Sequence, residues 1–440
     1  MNKPMELYRM QVSEMQRRLA NKAMKEPKHR FTNLFDLLTW EPLMEWAFDK
    51  LMTNRGSRTA GIDGLEKTTA IRNKENILHD LRAALKSGTY QHQPVLQVYI
   101  PKGNGKRRPL GIPTLVDRLV QMMVKAILEP IFEADFQPGS FGYRPKRTAH
   151  DAVYRVAKAI ARHKTKVIDL DVRSYFDNVR HLILLETVPQ RVNDDQVMSL
   201  LKMILRSTGK KGVPQGGVIS PLLSNIYLNE VDKMLERAKE VTREGKFTCL
   251  EYARYADDLT ILINGRAKHA WLVDAVTKRL KEEMAKIQVG INEEKSRTAD
   301  LTKGETFGFL GFDFRRVRSH QGKWRPNVTP KMEKRTALLL KLKEIFRRFI
   351  SQPAGRVVAL INPILRGWVR YFAIGNSSRC FSYIQRWVEE KLRRHLMRAR
   401  NCRGFGWKRW SSQWLHKRYG LFDDYRVRYY RPLSKALPAR

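Results

Sequence analysis

Cysteine is almost absent. Cys249, Cys380 and Cys402 are the three in 440 residues, and with no Cys-x-x-Cys pair among them neither a disulfide framework nor a zinc ribbon is indicated. They are expected to be core or incidental residues. No apolar run approaches the roughly 18 residues that a membrane-spanning helix needs. The first 22 residues lack the apolar core of a signal peptide, and Glu6 and Glu14 argue against a transit peptide, so the expected location is the cytoplasm. Internal repeats and low-complexity linkers are missing too, which excludes a solenoid and a disordered tether. Acidic residues are scarce beside basic ones, 44 against 84, for a formal charge of +40. A folded chain this basic repels itself unless it meets a polyanion, and nucleic acid is the first candidate. The hydrophobic content of 42% is that of a globular protein, and the length suits two or three domains.

What is present changes in texture along the chain. Residues 1–90 read as helical and polar, with Phe35, Leu37, Leu38, Leu43 and Trp46 at helical spacing and a glycine-rich break over 55–64 that reads as an ordered loop. Over 91–320, strand-like runs (95–100, 166–171, 259–263 and 307–314) alternate with helical ones (115–132, 221–235 and 270–287). This is a mixed, α+β unit. Residues 325–400 turn helical and very basic, as a bundle; Leu365, Trp368, Tyr371 and Phe372 form a core stripe there, with Arg366 and Arg370 on another side facing phosphates. Residues 401–440 mix Trp407, Lys408, Arg409, Trp410, Trp414 and several tyrosines with many cations. Rings beside cations suit stacking on bases and gripping a phosphate backbone; the core of a small packed subdomain would use the same rings.

The stretch Arg254-Tyr-Ala-Asp-Asp-Leu-Thr-Ile-Leu-Ile263 sets Asp257 and Asp258 in an otherwise apolar run. Consecutive strand residues point to opposite faces, so both serve one site only if the backbone turns there. A hairpin tip does this. Taken alone, it is equally a solvated acidic turn. In Lys166-Val-Ile-Asp-Leu-Asp-Val-Arg-Ser-Tyr-Phe-Asp177, Asp169 and Asp171 alternate with apolar residues and share one strand face. A carboxylate leaving a buried strand is costly unless it is paired or metal-bound, and a salt bridge to a nearby Arg is the plain alternative. A strand-borne Asp, a distant Asp-Asp hairpin and a polyanion-binding charge together are the parts of a two-metal phosphoryl-transfer site, with ions about 3.5 to 4 Å apart. Hard oxygen donors and substrate phosphates favour Mg²⁺.

Several blocks in order carry a resemblance. They are Asn54-Arg-Gly-Ser-Arg-Thr-Ala-Gly-Ile-Asp-Gly64, Ile100-Pro-Lys-Gly-Asn-Gly-Lys-Arg-Arg-Pro-Leu-Gly-Ile-Pro113, Asp117-Arg118, Ser140-Phe-Gly-Tyr-Arg-Pro145, Leu170-Asp-Val-Arg-Ser-Tyr-Phe-Asp177, Gly212-Val-Pro-Gln-Gly-Gly-Val-Ile-Ser-Pro-Leu-Leu-Ser-Asn225, Tyr255-Ala-Asp-Asp258, Gly290-Ile-Asn-Glu-Glu-Lys-Ser296, Phe309-Leu-Gly-Phe312 and Ile361-Asn-Pro-Ile-Leu-Arg-Gly-Trp-Val-Arg-Tyr-Phe372. The ordered set resembles the reverse transcriptases, or maturases, encoded by group II introns, and Ala256 is the form usual in that branch. The resemblance implies a right-hand polymerase: an N-terminal extension and first fingers block (1–90), fingers and palm (91–320), an α-helical maturase thumb (325–400) and a basic DNA-binding tail (401–440). It implies catalytic Asp171, Asp257 and Asp258 holding two Mg²⁺ ions, with the Val172 carbonyl as a further ligand and Asp169 ranked below them. Lys102, Arg108, Phe176, Gln215 and Lys295 match nucleotide-binding positions; Phe176 would exclude a 2′-hydroxyl, with Tyr175 as competitor. Arg366, Arg370, Trp407, Lys408 and Arg409 are the candidate nucleic-acid contacts. The implied partners are the intron RNA, an RNA template, a DNA target and primer, and deoxynucleoside triphosphates, in a bacterial ribonucleoprotein. With no paired cysteines after Cys402, the Cys-and-His-rich nuclease of many relatives is not expected. A splicing cofactor with a vestigial polymerase and a domesticated enzyme of host repair or defence are the alternatives.

Overall fold

The computed structural model describes residues 3–101, 107–172, 175–294 and 296–430. Four helices open the chain: α1 (Lys3–Lys25), α2 (Glu41–Thr53), α3 (Lys67–Arg72) and α4 (Lys74–Lys86). A hairpin of β1 (Leu96–Pro101) and β2 (Arg107–Ile112) leads to α5 (Leu115–Glu133) and α6 (Ala149–Ala161). Next come β3 (Lys164–Leu170), α7 (Tyr175–Asn178), α8 (His181–Thr187), α9 (Asp195–Arg206) and α10 (Ser220–Val241). A small hairpin, β4 (Arg243–Glu244) and β5 (Phe247–Thr248), precedes a long one, β6 (Leu250–Tyr255) and β7 (Asp258–Asn264). Then follow α11 (Trp271–Lys286), β8 (Arg297–Asp300), β9 (Phe307–Phe309), β10 (Phe312–Arg318), β11 (Trp324–Pro330), α12 (Met332–Arg348), α13 (Ala354–Phe372), α14 (Ser378–Ala399) and α15 (Ser412–Tyr419).

An antiparallel sheet in the order β6-β7-β3-β8 frames the mixed region. Ile168, Leu170, Leu259, Ile261 and Ile263 enter one core, shared with α5, α10, α11 and the N-terminal helices. Val167, Ala253, Leu262 and Ala299 enter another, with α6, the phenylalanines of β9 and β10, and the end of α13. Because the side-chain period is two, Asp169 and Asp171 fall on the Val167 side and Asp258 on the Leu262 side. That is one and the same face. It is where the carboxylates emerge, beside the turn between β9 and β10.

Two expectations change on folding. The run 307–314, read as one strand, is a tight hairpin: Leu310 (φ 50°) and Gly311 (φ 80°) turn the chain, and Phe312 pairs with Phe309. Both halves are apolar because both legs face the same core, so the turn is invisible to hydrophobic patterning. Tyr371, placed in the core stripe, is exposed; its hydroxyl donates to the Leu310 carbonyl at 2.9 Å, which ties the bundle to that turn. Leu365 and Phe372 are buried as expected, and Trp368 packs on Phe372.

For the tail rings, which suited a stacking platform and a packed core alike, the structure separates the two uses. Trp410, Leu415 and Leu421 are buried in the bundle core built by α12, α13 and α14. Past α15 the chain returns as a strap: Asn362 on α13 bonds Gly420 and Phe422, and the Arg428 amide donates to the Ala373 carbonyl. The Tyr430 hydroxyl donates to Asp151 at 2.8 Å, within the Thr148–Asp151 capping box of α6. These rings are packing elements rather than a free platform. Trp407, Lys408 and Arg409 are exposed, as are Arg366 and Arg370.

Candidate active site

Tyr255 pairs with Asp258, so only Ala256 and Asp257 span the tip of the β6–β7 hairpin. Positive φ falls on Ala256, at 59°, in the first of the two loop positions, as in a type II′ turn where glycine is favoured. Alanine there costs about 1 kcal/mol, and the surroundings hold it. Arg254, buried beneath the tip, donates to the Ala256 carbonyl at 2.9 Å, to Asn225 at 3.1 Å, to the Ser140 hydroxyl at 2.8 Å and to both oxygens of Asp232. Burial works against the Arg254 charge, but the charge and hydrogen bonds of Asp232 outweigh it and raise its pKa. The segment around Ser140 lies along the same strand, with Phe141 and Arg254 exchanging backbone bonds with Arg254 and Gly139 at 2.8 Å. A Cβ on Gly142 would sit 2.3 Å from the Ala256 nitrogen. Glycine is what lets this block reach the tip.

Asp171 stands one residue past β3, where Leu170 pairs with Leu259, so it faces the tip across a single strand spacing of about 4.8 Å. Asn292 fixes it: the Asn292 side chain donates to its carboxylate at 3.0 Å and the Asn292 amide to its carbonyl at 2.9 Å. Val172 is buried and bridges to Ile291. Asp169 is opposite Arg297 on β8, 3.8 Å away. Burial, reinforced by Asp171 and opposed by Arg297 and Lys331, pushes the Asp169 carboxyl up to about 6. Burial and then the charges of Asp257, Asp169 and Asp171 push Asp258 up to about 6 also, against Lys331. Asp258 keeps solvent access on its outer side, so crowding by like charges weighs more heavily there than desolvation. Asp169, Asp258 and Lys331 line a cleft of 220 Å³ floored by the β9–β10 turn.

On the other side of Asp171, Tyr175 is fully buried and its hydroxyl donates to the Ser224 carbonyl at 2.7 Å. That removes it as the competitor for the sugar position. Phe176 is half-buried, edge-on to Tyr175. Gln215 donates to Asp177 at 2.5 Å and its carbonyl accepts from Gly111 of β2 at 3.0 Å. Gly216, at φ 122°, would bring a Cβ within 2.9 Å of the Gly111 carbonyl, so the glycine lets β2 lie on this turn. Arg108 is on β2 opposite Ile100. Lys102 and Lys295 lie outside the described residues. Asn292, Arg254, Asp232 and Lys331 were missed from sequence. Arg254 had a signal, a cation within an apolar strand, and Asn292 sits inside a motif block; Asp232 and Lys331 had none.

Residues 100–314 match the family described as Reverse transcriptase (RNA-dependent DNA polymerase), and residues 335–420 match that described as Group II intron, maturase-specific domain. Protein YkfC of Escherichia coli (strain K12) is 35% identical over 375 residues, spanning 76% of this chain and 97% of that protein. The chain belongs to the group II intron reverse transcriptases. Group II intron-encoded protein LtrA of Lactococcus lactis subsp. cremoris is 28% identical over 445 residues, 80% of this chain and 72% of that protein. A solved partial Cas6-RT-Cas1--Cas2 complex is similar over 58% of this chain and 42% of that one, at 22% identity and a TM-score of 0.34. As a group II intron reverse transcriptase the chain is an RNA-directed DNA polymerase with a maturase domain, in the α+β, right-hand form. Its nucleic-acid substrates accord with the charge of +40, and no described helix is long and apolar enough to cross a membrane.

Reverse transcriptase domains use divalent metal ions, and the donor set here fits one. Asp169, Asp171 and Asp258 share a face beside Asp257 in a chain otherwise dominated by cations, and burial, reinforced by neighbouring carboxylates, holds Asp169 and Asp258 back from ionising. The carboxylates that meet there are hard oxygen donors, the preference of a small divalent cation.

Proposed function

We propose that this group II intron reverse transcriptase extends a DNA primer on an RNA template with Asp171, Asp257 and Asp258 as the catalytic metal ligands, within a cytoplasmic ribonucleoprotein whose intron RNA it helps to splice. The observation that carries the reading is the single face shared by Asp171 and the hairpin tip. Two Mg²⁺ ions, when bound, would lower the pKa of the primer 3′-hydroxyl and stabilise the departing pyrophosphate. The chain's own residues do the rest. Asn292 holds Asp171 in one rotamer through its 3.0 Å bond, and Arg254 holds the tip. The Val172 carbonyl is the further ligand in this reading. Phe176 underlies the incoming sugar, where a 2′-hydroxyl would clash with the ring. Gln215, kept in place by Asp177, supports the nucleotide, and Lys102, Arg108 and Lys295 neutralise its phosphates. Arg366, Arg370, Trp407, Lys408 and Arg409 contact the nucleic-acid backbone and bases. The substrates are deoxynucleoside triphosphates, the intron RNA as template and a nicked DNA target as primer.

The test is Asp257→Asn. Primer extension should be abolished while RNA affinity at matched salt stays the same; undiminished extension would overturn the assignment. Binding of the cognate intron RNA against an unrelated RNA at one salt concentration tests the maturase role, because so basic a protein binds any RNA to some degree.

A further inference from the structure

A second cluster of metal-binding side chains sits at the opposite end of the catalytic hairpin. Cys249 immediately precedes β6 and His269 follows β7 by five residues, so the two mark the base of the hairpin whose tip carries Asp257 and Asp258. Six residues of strand separate base from tip, about 20 Å. Glu244, from β4, completes the group, and the three donor atoms lie within 4.8 Å of one another. Cys249 and His269 are 3% and 5% exposed.

Two of the three donor separations are close to those of a tetrahedral site. Zinc bonds of about 2.3 Å to sulfur and about 2.05 Å to nitrogen or oxygen, at the tetrahedral angle, put sulfur and nitrogen about 3.6 Å apart and nitrogen and oxygen about 3.4 Å apart. Cys249 Sγ lies 3.7 Å from His269 Nε2, and His269 Nε2 lies 3.5 Å from Glu244 Oε1. These two pairs thus stand near bonding separation, and the exposed Glu244 side chain closes the third, from Cys249, which lies within 4.8 Å. We propose that Cys249, His269 and Glu244 form a structural site for a zinc-type divalent cation, with water as the fourth ligand, that staples the base of the catalytic hairpin to the β4–β5 hairpin. On binding, the thiol proton leaves to solvent as the sulfur–metal bond forms. Lys268 also holds Glu244, at 2.8 Å and 2.9 Å. It is exposed and need yield only the oxygen nearest His269. The site is independent of the polymerase assignment: none of its residues belongs to the catalytic face.

The probe is Cd²⁺ titrated into the full chain after chelator treatment, read by the thiolate-to-metal absorption band, which carboxylate sites do not produce. One band is expected, saturating near one equivalent, competed away by Zn²⁺, lost in Cys249→Ser and retained in Cys380→Ser and Cys402→Ser. Glu244→Gln, at an exposed position that cannot unfold the core, should weaken binding about tenfold or more, and Lys268→Gln should strengthen it. Absence of the band in the wild type, its survival in Cys249→Ser, or indifference to Glu244→Gln would each overturn the site.

Discussion

Replacing Arg254 by Met removes the buried cation under the hairpin tip and leaves Asp232, which is fully buried, without its partner. An ion abandoned in a core costs about 3 to 5 kcal/mol. For a cooperative unit of 150–250 residues that corresponds to a fall of about 6 to 20 °C in Tm. Adding Asp232→Leu removes the orphaned charge, so the double variant should recover most of that loss, because two well-packed apolar residues replace a buried pair at little cost. It should not recover activity. The Ala256 carbonyl still lacks its charged donor, a bond of about 1.5 to 3 kcal/mol, and if the tip geometry depends on it the rate falls about ten- to a hundredfold. Thermal unfolding of both singles and the double gives the coupling energy, and single-nucleotide extension by the same proteins gives the rate. A loss of less than about 1 kcal/mol in Arg254→Met, or polymerisation at the wild-type rate by the stabilised double variant, would refute this role of Arg254.

The raised Asp169 carboxyl sets a pH signature. Its folded pKa of about 6 lies above the ordinary carboxylate range, so its ionisation opposes folding at pH 7 and ceases to do so as pH falls through 6 towards 4; Asp169→Asn should therefore be more stable than the metal-free wild type at pH 7, by at most about 3 kcal/mol, and indistinguishable from it near pH 4 in denaturant titrations. For the same reason the divalent ion needed for half-maximal extension should rise as pH drops below about 6, where Asp169 and Asp258 both take up protons; a flat requirement between pH 7 and 5.5 would refute the shared-site reading. Gly142→Ala should destabilise and inactivate together, since its Cβ would lie 2.3 Å from the Ala256 backbone, whereas Ala256→Gly should be neutral to stabilising by about 1 kcal/mol; calorimetry on the two variants separates them. Arg366→Ala with Arg370→Ala should weaken RNA binding uniformly across sequences and lower the salt slope by about 1 to 2; a change confined to one RNA sequence would show base reading instead.

The apolar alternation around Asp169 and Asp171 fixed a strand, a face and the carboxylates on it, because a period of two is a local property of the chain. The Asp257-Asp258 pair likewise marked a turn, since no straight strand delivers neighbours to one place. Length, charge and helix-period stripes bounded the layout in the same way. Other features had no local trace. The hairpin over 307–314 was hidden because both its legs pack into one core. The rings of the tail suited a base-stacking platform and a packed core equally, and only the return of the chain across α6 decided for packing at Tyr425 and Tyr430. Asp232, 22 positions from Arg254, and Asn292, 121 from Asp171, are partners that no window of sequence can pair. Composition and periodicity are read within a few residues and determine what each segment is; which segments then share a face, a buried charge or a ligand depends on distances that exist only after the chain has folded back on itself.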